Sequence, residues 1–210
     1  MTQELKTGTT TVGLVCKDGL VLAADMRMTA GDMIASKQAK KIHKVNDEIA
    51  VTWAGSVSDL QLLTKLLRAE LKLKSIQSKK KVTIKEAANL LGGLLYSSIR
   101  QMSMIPGIAH FVMAGIDQQG LHLYDLYPDG SVTEVEDYTS SGSGSVFAYG
   151  VLESDYKKDL TVEKGVELAT KAVKAALERD INSGGGIYVV AVTEKGIQEK
   201  VLKKVKTQLE

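Results

Sequence analysis

The chain of 210 residues contains a single cysteine, Cys16, so an intrachain disulfide is excluded. We therefore expect a reducing compartment, in which Cys16 is a small buried hydrophobic residue. Histidine is scarce as well. The three histidines are scattered, without the i, i+4 spacing or the cysteine pairs of a zinc site. The sequence predicts neither a metal site nor a cofactor.

An excess of charge of one sign is also missing, because 27 lysines and arginines balance 25 aspartates and glutamates. This balance argues against a nucleic-acid partner and against electrostatic binding to a membrane surface. Long apolar runs are absent too: the longest, around 90–96, is far shorter than a membrane span. Residues 1–8 lack the apolar core of a signal peptide. We expect a cytoplasmic protein.

A hydrophobic fraction of 44% over 210 residues is enough for one sizeable core, which predicts a single domain. Residues 1–8 are mostly polar, and no structural role for them is evident from the sequence. We interpret them as a leader, or propeptide, which leaves residues 9–210 as the domain itself.

The hydrophobic periodicity switches between alternation, typical of strands, and a spacing of three and four, typical of helices. The predicted order along the chain is strand pairs, two helices, strand pairs, two helices and a strand. This order is typical of an α+β fold. Two facing antiparallel sheets with helices on both outer faces would bury every apolar face. Segment 26–41 is predicted to be irregular, and 138–145 to be a tight bend at a helix N-terminus. The predicted elements are hairpins at 11–25 and 42–55, helices at 56–74 and 83–102, strands at 108–116 and 121–127, helices at 146–152 and 161–179, and a strand at 187–192.

Thr9, Thr10 and Thr11 follow Gly8 and enter the first predicted strand. Threonine favours strands, so ordinary strand composition explains the run. Thr9 has a second interpretation: if the chain is cut after Gly8, the α-amine of Thr9 becomes free to act as the base for its own hydroxyl. These residues alone leave both interpretations open.

Six groups of residues resemble the motifs of archaeal-type proteasome β-subunits and follow one another in the same order along the chain. The resemblance covers nearly the whole chain. Each group alone is a weak signal, but six in the right order are specific. The resemblance implies the N-terminal nucleophile hydrolase fold, a four-layer αββα sandwich of two antiparallel sheets between helix layers. It also implies cleavage of peptide bonds by an N-terminal threonine. The groups are residues 8–13, 24–27, 40–42, 52–55, 142–145 with 149–153, and 179–180 with 183–185.

The resemblance implies that Thr9 is the nucleophile, exposed by autocatalytic cleavage of the Gly8–Thr9 bond. Lys41 matches the family's active-site lysine, whose charge would lower the pKa of the freed amine. Asp25 matches the carboxylate that keeps this lysine charged. Taken singly, these residues also fit a strand threonine, a surface lysine and a strand end. The remaining matches are Gly55, whose N–H would form the oxyanion hole, and the polar cluster of Ser143, Asp180 and Ser183, which would orient the amine and a bound water.

Arg27 and Thr29 lie on the segment that lines the active site in the family, where Thr29 would pair with the substrate backbone. Trp53 stands where a smaller aliphatic residue is common. Its bulky indole would shrink or cap the first specificity pocket, so we expect a preference for small or medium apolar side chains. By position, the residues around this pocket are Met28, Ala39, His43, Trp53 and Val57.

The resemblance also implies partners: other β-subunits in seven-membered rings, flanking rings of α-subunits, and an ATPase that unfolds polypeptide substrates and feeds them to the chamber. Two alternatives stay open. The chain is either an active subunit or a structural β-ring subunit that is weakly active until another β-subunit joins it. A different amide hydrolase of the same fold is the third interpretation, but nothing in the sequence resembles a small-molecule amidase pocket.

Overall fold

The computed structural model describes residues 8–102 and 107–204, with the backbone alone over 200–204. Strands and helices follow the predicted order along the chain, with additional strands at 28–30, 33–36, 132–135 and 196–204. None of the helices in these ranges is long and apolar enough to cross a membrane. The elements are β1 Thr11–Cys16, β2 Gly19–Asp25, β3 Met28–Ala30, β4 Met33–Ser36, β5 Ile42–Lys44, β6 Ile49–Thr52, β7 Ala54–Gly55, α1 Val57–Ser78, α2 Ile84–Ile99, β8 Ala109–Asp117, β9 Gly120–Leu126, β10 Val132–Val135, β11 Tyr138–Ser141, α3 Ser145–Asp155, α4 Val162–Arg179, β12 Gly186–Thr193 and β13 Gly196–Lys204.

Two large antiparallel sheets form the centre of the molecule. The first has the strand order β11-β1-β2-β12-β13, and the second has the order β10-β9-β8-β6-β5, with the short β7 also paired to β8. In the first sheet, Thr11 of β1 pairs with Ala24 of β2 and with Ser141 of β11. The start of β1, the end of β2 and the end of β11 therefore lie together at one end of this sheet.

Side chains alternate across each sheet and bury both of its faces. In β2, Val21 and Ala23 pack against α3 and α4, whereas Leu20 and Leu22 face the second sheet. In β8, Phe111 packs against α1 and α2, and its neighbour Val112 faces the first sheet. Each large apolar side chain buried in this way stabilises the fold by about 1.5–3 kcal/mol. The predicted α+β sandwich with αββα layers is confirmed.

The helix boundaries follow local sequence signals. Thr83 caps α2 with a capping box: its hydroxyl accepts the Glu86 N–H, and the Glu86 carboxylate accepts the Thr83 N–H. Helix α1 runs to Ser78, beyond the predicted end at 74, because no proline or glycine interrupts it and Lys79 closes it in a left-handed conformation. Helix α2 ends at Ile99, before the predicted end at 102.

Two segments were predicted incorrectly, and two strands, β10 and β13, were not predicted at all. Segment 26–41, predicted to be irregular, contains the β3–β4 hairpin, in which Met33 is 71% exposed. An exposed hairpin shows no alternation of apolar and polar residues, so the pattern was missing. Segment 138–145, predicted as a bend, begins with β11, the edge strand of the first sheet. This strand buries hydroxyls, and the Thr11 and Ser141 hydroxyls hydrogen-bond at 2.6 Å, so its inner face looks polar in the sequence.

Candidate active site

Asp25 closes β2 and is fully buried. Its carboxylate accepts four hydrogen bonds. Oδ1 accepts the Thr10 N–H at 3.0 Å and the Lys41 ammonium at 2.6 Å, and Oδ2 accepts the N–H groups of Arg27 and Gly184 at 3.0 Å each. These four donors stabilise the buried negative charge. They also link three separate segments of the chain, at Thr10, Lys41 and Gly184, to the Asp25 side chain.

Lys41 precedes β5, and its side chain is 8% exposed. Its Nζ donates to Asp25 at 2.6 Å, to the Thr9 hydroxyl at 3.0 Å and to the Gly8 carbonyl oxygen at 3.3 Å. Burial lowers the pKa of the Lys41 ammonium from its usual value, and the Asp25 carboxylate partly offsets this effect. Thr9 and Asp25 are thus each within hydrogen-bonding distance of the Lys41 ammonium group.

Thr9 lies just before β1 and is 5% exposed. Its Oγ donates to the Gly8 carbonyl oxygen at 2.6 Å, and its backbone N–H donates to the Ser143 hydroxyl at 3.3 Å. In this uncut chain the Thr9 nitrogen belongs to a peptide bond and carries no basic lone pair. The amine that would act as base exists only after the Gly8–Thr9 bond is cleaved.

Ser143, Asp180 and Ser183, the residues of the expected polar cluster, lie together near the Thr9 nitrogen. Asp180 Oδ2 accepts both serine hydroxyls at 2.6 Å. Thr10, which the sequence did not single out, joins the cluster, since its hydroxyl lies 2.7 Å from Ser183 Oγ. The cluster assembles because β11 ends beside β1 and the loop after α4 returns to the same place. It places the Ser143 hydroxyl 3.3 Å from the Thr9 nitrogen.

A cavity of about 310 Å³ opens beside Thr9, and six of the seven residues predicted to bind substrate line it. Arg27 is the exception, because its guanidinium turns away and donates to the Ile181 carbonyl oxygen at 2.9 Å. Thr29 Oγ is buried against the cavity without a hydrogen-bond partner among the described residues. The lining consists of Gly8, Thr9, Met28, Thr29, Ala39, Lys40, Lys41, His43, Trp53, Gly55, Val57, Leu60 and Gln61.

Trp53 and His43 form one wall of this cavity. Their rings stack with centroids 3.5 Å apart, and the indole N–H donates to the Thr64 hydroxyl at 3.0 Å. His43 Nε2 donates to the Lys40 carbonyl oxygen at 2.8 Å, which defines the neutral tautomer. Burial lowers the pKa of the His43 imidazole to about 4, so this wall is uncharged at neutral pH. The hydrogen bond and the stacking hold the indole in place, and it borders the cavity without filling it.

Gly55 lies at the cavity edge, at the end of β7. Its backbone has a positive φ of 128°, and a Cβ atom there would overlap the Ile108 carbonyl oxygen. The position therefore requires glycine for conformational and steric reasons. Among the described residues, the donors to the Gly8 carbonyl oxygen are Thr9 and Lys41, and Gly55 is not one of them. The oxyanion-hole role expected of the Gly55 N–H would therefore apply to a substrate bound in the cavity, not to the Gly8 carbonyl oxygen.

The sequence prediction missed Lys40, Leu60 and Gln61 as lining residues. Leu60 and Gln61 belong to the first turns of α1, where the helical period identified Leu60 only as a core position. Gln61 follows it on the exposed side, and no motif marks it. Within residues 8–102 and 107–204, no group of His, Cys, Asp or Glu is arranged to hold a metal ion.

Comparison with known proteins gives one consistent family. A family model described as "Proteasome subunit" matches residues 5–192. "Proteasome subunit beta" of Ferroglobus placidus is 45% identical over 203 residues, covering 97% of this chain and 95% of that protein. "Proteasome subunit beta 2" of Pyrococcus abyssi is 43% identical over 199 residues, 95% of this chain and 93% of that protein. The fold, the site and these similarities agree, and the chain belongs to the proteasome subunit family, among its archaeal-type β-subunits.

Proposed function

We propose that this chain is a proteolytic subunit of the proteasome core, a threonine-type endopeptidase that hydrolyses peptide bonds through Thr9. One observation supports this proposal most: the Lys41 ammonium lies 3.0 Å from Thr9 Oγ and 2.6 Å from Asp25 Oδ1. A lysine held in this way places a positive charge at the hydroxyl and beside the future amine. A surface lysine, the alternative role for this position, would contact neither.

The uncut chain is a latent form in which residues 1–8 are a propeptide and residues 9–210 the mature domain. In maturation, Thr9 Oγ attacks the Gly8 carbonyl carbon, and an ester forms between Gly8 and Thr9 Oγ. The C–N bond breaks, and the hydroxyl proton passes to the Thr9 nitrogen, which leaves as an amine. Water then hydrolyses the ester, which releases residues 1–8 as a carboxylate and restores the hydroxyl.

The mature enzyme repeats this chemistry on substrate. The Thr9 amine, with an ordinary pKa near 8, accepts the proton of its own hydroxyl as Oγ attacks the substrate carbonyl. Lys41 lowers the pKa of that amine by electrostatic repulsion and thus favours its neutral, proton-accepting form. An acyl ester and a free amino product result, and water releases the acyl part. The hydroxyls of Ser143 and Ser183, fixed by Asp180, orient the amine and the attacking water.

We expect cleavage after small or medium apolar residues, because the cavity beside Thr9 is largely apolar and Trp53 borders it rigidly. A panel of peptides that differ only in the residue before the scissile bond tests this preference. Valine or leucine at that position should give a higher kcat/KM than phenylalanine or glutamate. Fastest cleavage after aromatic or acidic residues would contradict the expectation.

Membership of the family implies assembly with other proteasome subunits. We propose seven-membered β rings flanked by α rings, with a regulatory ATPase that supplies unfolded polypeptides through the α ring, in the cytoplasm. Enclosing the active sites in such a chamber suits a protease with little sequence preference, because folded cell proteins cannot enter. Gly8, Thr9 and their partners would then face the interior.

Intact-mass measurement of the chain, purified with and without α-subunits, tests the proposed function. We expect the assembled chain to be shorter by residues 1–8, with Thr9 at its N-terminus, since assembly and cleavage accompany one another in this scheme. Peptidase activity should appear with the shorter mass. A full-length chain in fully assembled particles would instead favour a structural β-ring subunit that depends on another β-subunit for activity.

A further inference from the structure

Gly8 is packed against a residue that the proposed chemistry does not use. The side chain of Asn182, in the loop after α4, lies directly against the Gly8 α-carbon. A Cβ atom built on Gly8 would overlap the Asn182 Cβ and would lie 2.6 Å from its Cγ and 2.8 Å from its Cα. Carbon atoms do not approach so closely, so the first carbon of any side chain at position 8 has no space.

Neither partner in this contact can easily move away. The Asn182 N–H donates to Asp180 Oδ1 at 3.2 Å, and the other Asp180 oxygen holds the Ser143 and Ser183 hydroxyls. On the other side, the Gly8 carbonyl oxygen is held by the Thr9 hydroxyl and the Lys41 ammonium. Relief of the overlap would displace either the polar cluster or the carbonyl that Thr9 must attack.

We propose that Asn182 is a positioning residue that restricts the residue before the nucleophile to glycine during self-cleavage. This inference rests on the proposed maturation reaction and adds a selectivity to it. In the reaction on substrates, the side chain before the scissile bond enters the cavity lined by Met28, Ala39 and Val57. In self-cleavage, the corresponding direction at Gly8 meets Asn182. Side chains that the enzyme accepts in substrates are therefore excluded at position 8 of its own chain.

The test compares cleavage of Gly8→Ala chains in three backgrounds, by intact mass of the assembled protein over time. With Asn182 present, we expect Gly8→Ala to slow cleavage at least tenfold. Adding Asn182→Gly removes the overlapping carbon. It should recover at least half of the loss when the loss is expressed as the logarithm of the cleavage rate. The matched control is Asn182→Ala, which keeps the Cβ atom and should not restore cleavage, although it removes the amide.

Two further measurements separate the possible failures. Asn182→Gly in a chain released from a fusion directly at Thr9 should show ordinary peptidase activity, which establishes that the mature site is intact. Equal rescue by Asn182→Ala, or no rescue by Asn182→Gly in a chain with an intact site, overturns the role of Asn182. Failure of the unaltered chain to lose residues 1–8 in assembled particles would instead overturn the proposed maturation reaction itself.

Discussion

We expect the Thr9→Ala variant to keep residues 1–8 and to lose peptidase activity by roughly 10⁶-fold, the effect of removing a catalytic hydroxyl in other hydrolases. The reason is that, in the proposed mechanism, Thr9 Oγ is the attacking atom both in maturation and in substrate cleavage. Without it, Lys41 and Asp25 have no group to activate. Intact mass and the hydrolysis of a fluorogenic peptide, both on assembled particles, measure the two effects separately.

Thr9→Ser is the matched control, because serine keeps the hydroxyl and loses only the methyl group. This variant should still cleave after Gly8 and still hydrolyse peptides, at reduced rates. The Thr9→Ala chain should assemble as the unaltered chain does, since Thr9 contributes no side chain to the apolar clusters between the layers. Loss of residues 1–8 from Thr9→Ala particles would contradict self-cleavage by this hydroxyl.

Lys41→Ala is expected to reduce peptidase activity by roughly 10²–10⁴-fold, the range typical of groups that assist proton transfer. The hydroxyl of Thr9 then loses its 3.0 Å contact with a cation, and the freed amine keeps a higher pKa and is more protonated at neutral pH. Cleavage after Gly8 should slow as well, because Lys41 also donates to the Gly8 carbonyl oxygen. Single-turnover peptide hydrolysis and intact mass measure these changes.

The same variant tests the energetics of the buried ion pair. Removing one partner of such a pair costs about 3–5 kcal/mol. Because Asp25 keeps the backbone donors of Thr10, Arg27 and Gly184, we expect the lower end of this range. A loss of about 3 kcal/mol corresponds to a fall of roughly 6–12 °C in unfolding temperature for a chain of this size.

Lys44→Ala provides the control for both effects. Lys44 lies on β5, three residues beyond Lys41, and its exposed ammonium pairs with Asp47 at the surface. A surface pair of this kind contributes at most about 1 kcal/mol, so activity and unfolding temperature should stay close to those of the unaltered chain. Equal losses in Lys41→Ala and Lys44→Ala would contradict a specific role for Lys41.

The layers of the fold were predictable from the sequence, and the reason is visible in single strands. Residues 20–24 are apolar without interruption because β2 is covered on one face by α4 and on the other by the second sheet. Elements of this kind need partners on both sides, which an αββα sandwich supplies. By contrast, β3–β4 and β11 gave no apolar pattern, because one is exposed and the other buries hydroxyls.

The site was predictable only through the resemblance. No spacing in the sequence shows that Lys41 Nζ reaches both Asp25 and Thr9, because this contact depends on the register of β1 and β2 and on the path of 26–41. The roles of Gln61 and Asn182 could not be predicted from the sequence for a related reason. Asn182 lies between two recognised motif residues and Gln61 lies on a predicted helix, but the contact of each with Gly8 or with the cavity depends on how the loop or helix is oriented in space.

The pairing of β1 with β11, and of Asp25 with Gly184, has a consequence for the timing of synthesis. Strand β1 can pair with β2 early, but the polar groups around Thr9 and Thr10 include Asp180 and Ser183, which come only after five-sixths of the polypeptide has been made. A nascent fragment therefore carries the threonine without its surroundings. Under the proposed function, this long-range topology delays protease activity until translation is nearly complete.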